Sequence, residues 1–217
     1  MSRRISEQRK IQEGRGTGTG ADYIPWIKAA ELNSTGTASN IVDWKHGRTI
    51  ELLSQGEKWL YLILRWNDRV VDIREQYPLD LSVTDRIADE LGVRHANNGQ
   101  SHMTTDLLVT LDDGSMRAYS VKTGPNAMTN RVCELLAIEK KYWEMNGVAW
   151  RNVFKTDLSR IYAKNIEDVV RFYNIPNDSN PVNRLKYLIA RKQISVDMKT
   201  EPLDYVSLLH SLPDKGE

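Results

Sequence analysis

Three charged residues have the types that metal-dependent hydrolysis of a phosphodiester requires. Glu57 and Asp106 carry carboxylates, which are oxygen ligands of the kind that Mg²⁺ prefers. Lys122 carries a cation that can neutralise the charge developing on a phosphate in the transition state. On spacing alone, plainer roles stay open: a helix-capping residue for Glu57, a solvated strand carboxylate for Asp106 and a surface lysine for Lys122.

A predicted helix positions the first of these residues. Four apolar residues recur at spacings that form one helical face, namely Leu53, Leu60, Ile63 and Leu64. Ser54 and Glu57, three residues apart, have the form of a capping box, which marks a helix start. We therefore expect a helix from about Ser54 to Trp66, with Glu57 in its first turn.

A predicted β-hairpin positions the other two residues. Residues 104–111 and 116–122 have strand patterns, and the Asp-Asp-Gly-Ser sequence at 112–115 is typical of a turn between them. The start of one strand of an antiparallel hairpin neighbours the end of the next. We therefore expect Asp106 and Lys122 at the same end of the hairpin.

The remaining patterns mix strands and helices. Strands are predicted at 69–73 and 148–154, and helices at 84–91, 131–146 and 158–173. Such a mixture is typical of the α/β class. Helical patterns also follow a break rich in proline and asparagine at 176–181, but they are too short for an independent core of usual size.

The same patterns divide the chain into three segments. Residues 1–50 are predicted as an N-terminal arm followed by helical and loop segments, 51–175 as the core, and 176–217 as a short helical appendage. The glycine-rich stretch at 1–22 lacks the Gly-Lys-Ser/Thr ending of a phosphate loop. We interpret it as a flexible arm or loop, or as a segment that becomes ordered on DNA or a partner.

Composition sets broad limits on the class of protein. The chain has 40% hydrophobic and 27% charged residues and a net charge of +1, as ordinary globular proteins do. This charge neither indicates nor excludes nucleic-acid binding, which depends on local charge. Cys133 is the only cysteine, which excludes an intrachain disulfide and favours the cytoplasm. No apolar run approaches the ~20 residues of a membrane span.

Several segments, in order along the chain, resemble the TnsA endonuclease family. The hairpin with Asp106 and Ser120-Val121-Lys122, together with the upstream Glu57, is similar to the PD-(D/E)xK core of restriction-endonuclease-like nucleases. The segments that resemble the family itself extend from about residue 11 to about residue 173: 12–16, 22–26, 47–48, 52–54, 72–79, 104–109, 121–122 and 139–143.

This resemblance implies a fold and a set of residue roles. The fold would be a restriction-endonuclease-like α/β core, a mixed sheet flanked by helices, with the short appendage after it. Glu57, Asp106 and Lys122 would be catalytic. Glu57 and Asp106 would also hold the metal, together with the backbone carbonyl of Val121, while Lys122 would orient or activate the attacking water.

Three further residues have roles that the resemblance leaves open. Glu139 is a candidate ligand for a second metal, or else an ordinary partner of nearby lysines on a helix surface. Gln76 would support the site. Ser120 stands where the general core has an acidic residue and TnsA-like proteins can have glutamine, so the metal's affinity and number are open. A water held by Ser120 could replace the missing ligand.

The function implied by the resemblance is that of a Mg²⁺-dependent endonuclease, with Mn²⁺ as a substitute, in a heteromeric transposase. It would hydrolyse the 5′ strands at transposon ends, beside a DDE-family transposase that cuts the 3′ strands. An AAA+ ATPase would regulate both, touching the C-terminal part. Two alternatives remain: an assembly module with a degenerate nuclease site, which only Ser120 favours, and an independent restriction-type nuclease.

Overall fold

A computed structural model describes residues 5–31 and 38–211 of the chain. Its contacts divide the chain into two compact units, residues 1–158 and 159–217. The division therefore falls just before α5 (Arg160–Val170), whereas the sequence break at 176–181 lies inside the second unit. The first four residues of the predicted arm, residues 32–37 of the predicted N-terminal segment and the last six residues of the predicted appendage lie outside the described residues.

The first unit alternates helices and strands. In chain order these are α1 (Glu7–Gln12), β1 (Ser39–Val42), β2 (Thr49–Leu52), α2 (Gln55–Trp66), β3 (Val70–Pro78), α3 (Leu81–Leu91), β4 (Thr104–Leu111), β5 (Met116–Lys122), α4 (Asn130–Met145) and β6 (Ala149–Phe154). The second unit contains α5 (Arg160–Val170), α6 (Pro181–Ala190) and α7 (Tyr205–Ser211). No helix among the described residues has the length and apolar character to cross a membrane.

Four strands form the central sheet, in the order β3-β4-β5-β6, and β1 and β2 form a separate antiparallel pair. β4 pairs antiparallel with both β3 and β5, whereas β5 and β6 are parallel. The parallel pair follows from the chain order, because α4 carries the chain back across the sheet between β5 and β6. The sheet is therefore mixed, as predicted.

Helices cover both faces of this sheet. On one face, α3 and α4 contribute Ile87, Ile138 and Trp143 to a core that includes Leu108 of β4 and Ala118 of β5. Side chains alternate between the two faces along a strand, so Val121 lies on the opposite face from Ala118. There it contacts the first turn of α2.

The start of α2 matches the prediction from its sequence. Ser54 is the N-cap, and its hydroxyl accepts a hydrogen bond from the Glu57 amide at 3.2 Å. Glu57 Oε2 accepts from the Leu53 amide at 2.9 Å, one residue earlier than in a standard capping box. This second bond turns the Glu57 carboxylate back over the helix N-terminus, towards the sheet end where β4 begins.

Two segments are more regular than their sequences predicted. β3 extends to Pro78 because Tyr77 and Pro78 pair with Thr105 and Thr104 of β4. β3 is an edge strand, where proline is tolerated. In the glycine-rich arm, residues 7–12 form α1, and the buried Arg15 makes an ion pair with Glu31.

The second unit is a small helical assembly organised around one buried amide. Asn165 Nδ2 of α5 donates to the carbonyls of Met198 at 3.0 Å and Glu201 at 2.7 Å. Its Oδ1 accepts from the Leu203 amide at 3.2 Å. These bonds tie the irregular chain before α7 to α5, and Leu185 of α6 is buried within the same unit.

Replacing Gly56 by alanine should destabilise the first unit. A methyl group added there would lie 2.7 Å from Val121 Cγ1 and 3.2 Å from Lys155 Cβ, closer than packed carbon atoms approach. We expect a loss of about 1–3 kcal/mol in the free energy of unfolding, less any gain from alanine's higher helix propensity. Urea denaturation measures it, with Gln55→Ala as the control in the same turn. A Gly56→Ala protein as stable as wild type would contradict this close packing.

Candidate functional site

The three predicted catalytic residues line one cavity of about 480 Å³. The first turn of α2 supplies Glu57, the start of β4 supplies Asp106 and the end of β5 supplies Lys122. Val121 and Lys155 line the same cavity. Residues far apart in the sequence therefore meet at one end of the sheet, and the hairpin pattern predicted this for Asp106 and Lys122.

The β4–β5 hairpin fixes Asp106 and Lys122 relative to each other. Asp106 Oδ2 accepts a hydrogen bond of 2.6 Å from the Val121 amide and lies 4.0 Å from Lys122 Nζ. Lys122 Nζ also donates to the Val121 carbonyl at 3.1 Å. The lysine ammonium is thus held between a carboxylate and a carbonyl oxygen, and its side chain is 28% exposed to the cavity and solvent.

Gln76 is hydrogen-bonded to the Glu57 carboxylate and to the start of β4. Its Nε2 donates to Glu57 Oε2 at 3.3 Å, and its Oε1 accepts from Thr104 Oγ1 at 3.2 Å. Its backbone has a φ of 48°, the left-handed region that non-glycine residues rarely adopt and that is enriched at functional sites. The structure therefore brings Gln76 to the carboxylates, beside the site that it was predicted to support.

Burial and mutual repulsion make this group of carboxyls hard to ionise. Burial raises the pKa of Glu57, and the negative charge of Asp106 raises it further. Burial and the same Asp106 charge raise the pKa of Glu139 to about 7. Burial also raises the pKa of Asp106, against the opposing effects of Lys122 and the Val121 amide. Three carboxyl groups are thus crowded together at Asp106, and a bound cation would favour their ionised forms.

The donor atoms at the cavity fit a small, hard cation. Glu57 and Asp106 offer carboxylate oxygens and Val121 a backbone carbonyl, and Mg²⁺ is commonly bound by one or two carboxylates while keeping several waters. Within residues 5–31 and 38–211, no group of three or more His, Cys, Asp or Glu side chains is placed to hold a metal. Further ligands would therefore have to come from the backbone, water or substrate.

The structure buries Glu139 and places Ser120 against it. Glu139 is only 4% exposed, so it is not a surface partner of lysines. Its Oε1 accepts from Ser120 Oγ at 2.6 Å and from Thr105 Oγ1 at 2.7 Å. Trp143 Nε1 donates to Thr105 Oγ1 at 2.7 Å and completes the network. Ser120 is therefore committed to anchoring Glu139, and neither residue lines the cavity.

Lys155 is a cavity residue that the sequence patterns did not single out. It directly follows β6, and Phe154 pairs with Lys122 in the parallel β5–β6 ladder. Its ammonium lies 5.1 Å from the centre of the Trp59 ring. A signal was present, because a strand-helix-strand crossover predicts parallel neighbours whose following residues lie side by side.

The fold defines the class of protein. A four-stranded mixed sheet with helices on both faces, and with a hairpin that brings Asp106 to Lys122, is a restriction-endonuclease-like core. Residues 67–154 match the family described as TnsA-like endonuclease N terminal, and this part of the chain belongs to that family.

A curated relative agrees with this family. The transposon Tn7 transposition protein TnsA of Escherichia coli is 37% identical over 163 residues, which are 73% of this chain and 60% of the relative. The resemblance stated from the sequence is thereby confirmed. The chain spans about 60% of the length of the relative that it matches.

Replacing Glu139 by glutamine should flatten the pH dependence of stability in metal-free protein. The Glu139 pKa rises from 4.5 to about 7 on folding, so the folded state keeps this proton longer. The free energy of unfolding should therefore fall as pH rises between these values, by about 1.4 kcal/mol per pH unit for one such group.

The measurement is urea unfolding in EDTA at several pH values across that window. Glu139→Gln should remove the part of the slope of unfolding free energy against pH that one carboxyl contributes. Glu144→Gln, on the exposed side of the same helix, controls for loss of a surface carboxyl. Equal slopes for wild type and Glu139→Gln would contradict the assigned pKa.

Proposed function

We propose that the chain is the metal-dependent DNA endonuclease subunit of a heteromeric transposase and hydrolyses the 5′ strands at transposon ends. The observation that carries this proposal is the meeting of Glu57, Asp106 and Lys122 at one cavity of a restriction-endonuclease-like core. The similarity to the Tn7 transposition protein supports the transposase setting and the family match supports endonuclease chemistry.

In this proposal Glu57, Asp106 and the Val121 carbonyl hold the divalent cation. The ion, Mg²⁺ with Mn²⁺ as a substitute, supplies Lewis acidity towards the phosphate and a water more acidic than bulk water. Gln76 orients Glu57 through the hydrogen bond at 3.3 Å. Ser120 and Thr105 hold Glu139 by hydrogen bonds outside the cavity lining, and the charge of Asp106 raises its pKa. A role for Glu139 in a second metal site remains a prediction.

Lys122 acts on the attacking water and on the phosphate. Its Nζ is held by the Val121 carbonyl at 3.1 Å, within 4.0 Å of Asp106. From there it can orient the water with its donors and offset charge on the phosphate oxygens. Lysine has three donors and no acceptor, so in its charged form it orients the water and does not take its proton.

The proposed partners follow from the same similarity. The substrate is transposon-end DNA, a DDE-family transposase cuts the 3′ strands, and an AAA+ ATPase regulates the pair and touches the C-terminal segment 176–217. The proposed location is the cytoplasm, with no membrane partner. Base recognition would belong to the transposase, because no recognition helix is evident in this sequence.

One observation favours a second candidate function. Ser120 gives the cavity no carboxylate, and its hydroxyl is committed to Glu139. A site short of one ligand would suit a chain that mainly links transposase to ATPase. Two experiments distinguish this assembly module from a nuclease. The first measures cleavage of the 5′ strands, and the second measures metal binding.

Asp106→Ala and Lys122→Ala should each abolish 5′ strand cleavage in a reaction reconstituted with the cognate transposase and ATPase. We expect a loss of at least about 10²-fold in rate, because each variant removes a group that acts on the transition state. Cleavage of the 3′ strands should persist, so that products keep donor DNA attached. Strand-resolved gels measure both cuts.

The matched control is Lys140→Ala, which removes an exposed lysine of α4. It should cut like wild type. Wild-type rates for both Asp106→Ala and Lys122→Ala would contradict the nuclease assignment and favour the assembly module. Efficient cutting by the chain alone, with no transposase, would instead indicate an independent nuclease.

Titration with Mn²⁺ should detect binding that Asp106→Ala removes. The variant loses the central carboxylate, whose charge acts on both Glu57 and Glu139. Isothermal calorimetry measures the affinity, with Asp112→Ala as a control that removes an exposed aspartate at the hairpin turn. If wild type binds no Mn²⁺ even with DNA present, the metal assignment fails.

A further inference from the structure

The face of the β5–β6 pair that α2 contacts carries basic residues beyond the cavity. Val121 marks this face, because it lies against Gly56 of α2. Arg117 and Tyr119 share it by strand alternation. In β6, Arg151 is the register partner of Tyr119, and Val153 is the partner of Val121. Register partners point to the same side, so Arg117 and Arg151 both lie on the α2 face.

These two arginines have no counter-charge in the described structure. Both are exposed, and neither makes an ion pair or a side-chain hydrogen bond within residues 5–31 and 38–211. Most arginines of the first unit differ in this respect. Arg48 and Arg65, for example, pair with Glu75 and Asp43. Two unpaired guanidinium groups on one face of the sheet make a local positive surface on a chain whose net charge is only +1.

Lys155 extends this surface into the cavity. It directly follows β6, and its Cβ lies close to Gly56 of α2, which places it on the α2 side of the sheet. The ammonium is held over the Trp59 ring at 5.1 Å and has no carboxylate partner among the described residues. A cation held over an aromatic face keeps its position but stays available to an anion.

The spacing of these cations suits a nucleic-acid strand. Four residues of extended chain span about 13 Å, which is the upper limit for the backbone distance from Arg151 to Lys155, directly after β6. One strand of a duplex rises about 3.4 Å per nucleotide and also winds around the axis, so phosphates this far apart in space are separated by fewer than four nucleotides. Phosphates along one strand could therefore contact Arg151 and Lys155 together, with the cavity at the Lys155 end.

We propose that Arg117, Arg151 and Lys155 form a phosphate-binding track that leads one strand of duplex DNA into the cavity. The choice of DNA as the ligand rests on the proposed nuclease function. The binding of phosphates is inferred from the positive charge of the track. Arg117 and Arg151 bind backbone phosphates outside the cavity. Lys155 binds a phosphate at its entrance, across from Lys122 and Asp106.

The salt dependence of DNA binding tests this track directly. A fluorescein-labelled duplex of arbitrary sequence is titrated with the full chain at several NaCl concentrations, in EDTA so that cleavage does not deplete it. Each lost phosphate contact should reduce the magnitude of the slope of log K against log salt by about one. We expect this reduction for Arg117→Ala, Arg151→Ala and Lys155→Ala, with weaker binding at low salt.

Two controls separate charge from structure. Arg151→Lys keeps the charge and should keep most of the slope that Arg151→Ala loses. Lys140→Ala removes an exposed lysine of α4, on the other face of the sheet, and should bind like wild type. Wild-type slopes for all three alanine variants would overturn the proposal, as would an equal loss of slope in Lys140→Ala.

The result is independent of cleavage. If the chain binds duplex DNA through the track but never cuts it, the track is supported and the proposed nuclease function is contradicted. If the chain cuts 5′ strands but the three variants bind DNA with unchanged salt-dependence slopes, only the track is contradicted. Absence of any DNA binding by wild type overturns the track.

Discussion

The hydrogen bond from the Val121 amide to Asp106 Oδ2, 2.6 Å long, is the contact on which the site depends. It joins the start of β4 to the end of β5 and so fixes the central carboxylate. The same peptide region presents the Val121 carbonyl, which holds Lys122 Nζ at 3.1 Å. A single hairpin therefore sets the positions of a carboxylate, a carbonyl and a cation. Glu57 then needs only the docking of α2 to join them.

The sequence predicted the parts of the site that depend on local pattern. Both hairpin strands have the predicted bounds, and α2 begins after Ser54, because alternation, turn residues and capping act over a few positions. What it could not predict depends on distant chain segments. The left-handed conformation of Gln76 requires its neighbours in β4 and the Trp26 amide, which donates to its carbonyl. Arm residues such as Arg15 become buried only through contacts far along the chain.

Ser120 illustrates how packing decides a departure from a motif. A carboxylate at this position would lie against Glu139, which is 4% exposed, and two buried like charges would repel each other. A hydroxyl instead donates to Glu139 at 2.6 Å and satisfies it. The serine is thus consistent with a buried glutamate on α4.

Gly56 has a consequence for how this site can vary. Its missing side chain lets α2 lie against Val121 and Lys155, and that docking carries the neighbouring Glu57 to the sheet. Glu57 can therefore reach the site only while Gly56, the residue before it, has no side chain. A homologous chain would have to keep the two together. If a side chain replaced the hydrogen of Gly56, the residues packed against it, such as Val121, would have to become smaller by a similar volume. Otherwise the helix would shift and Glu57 would leave the site.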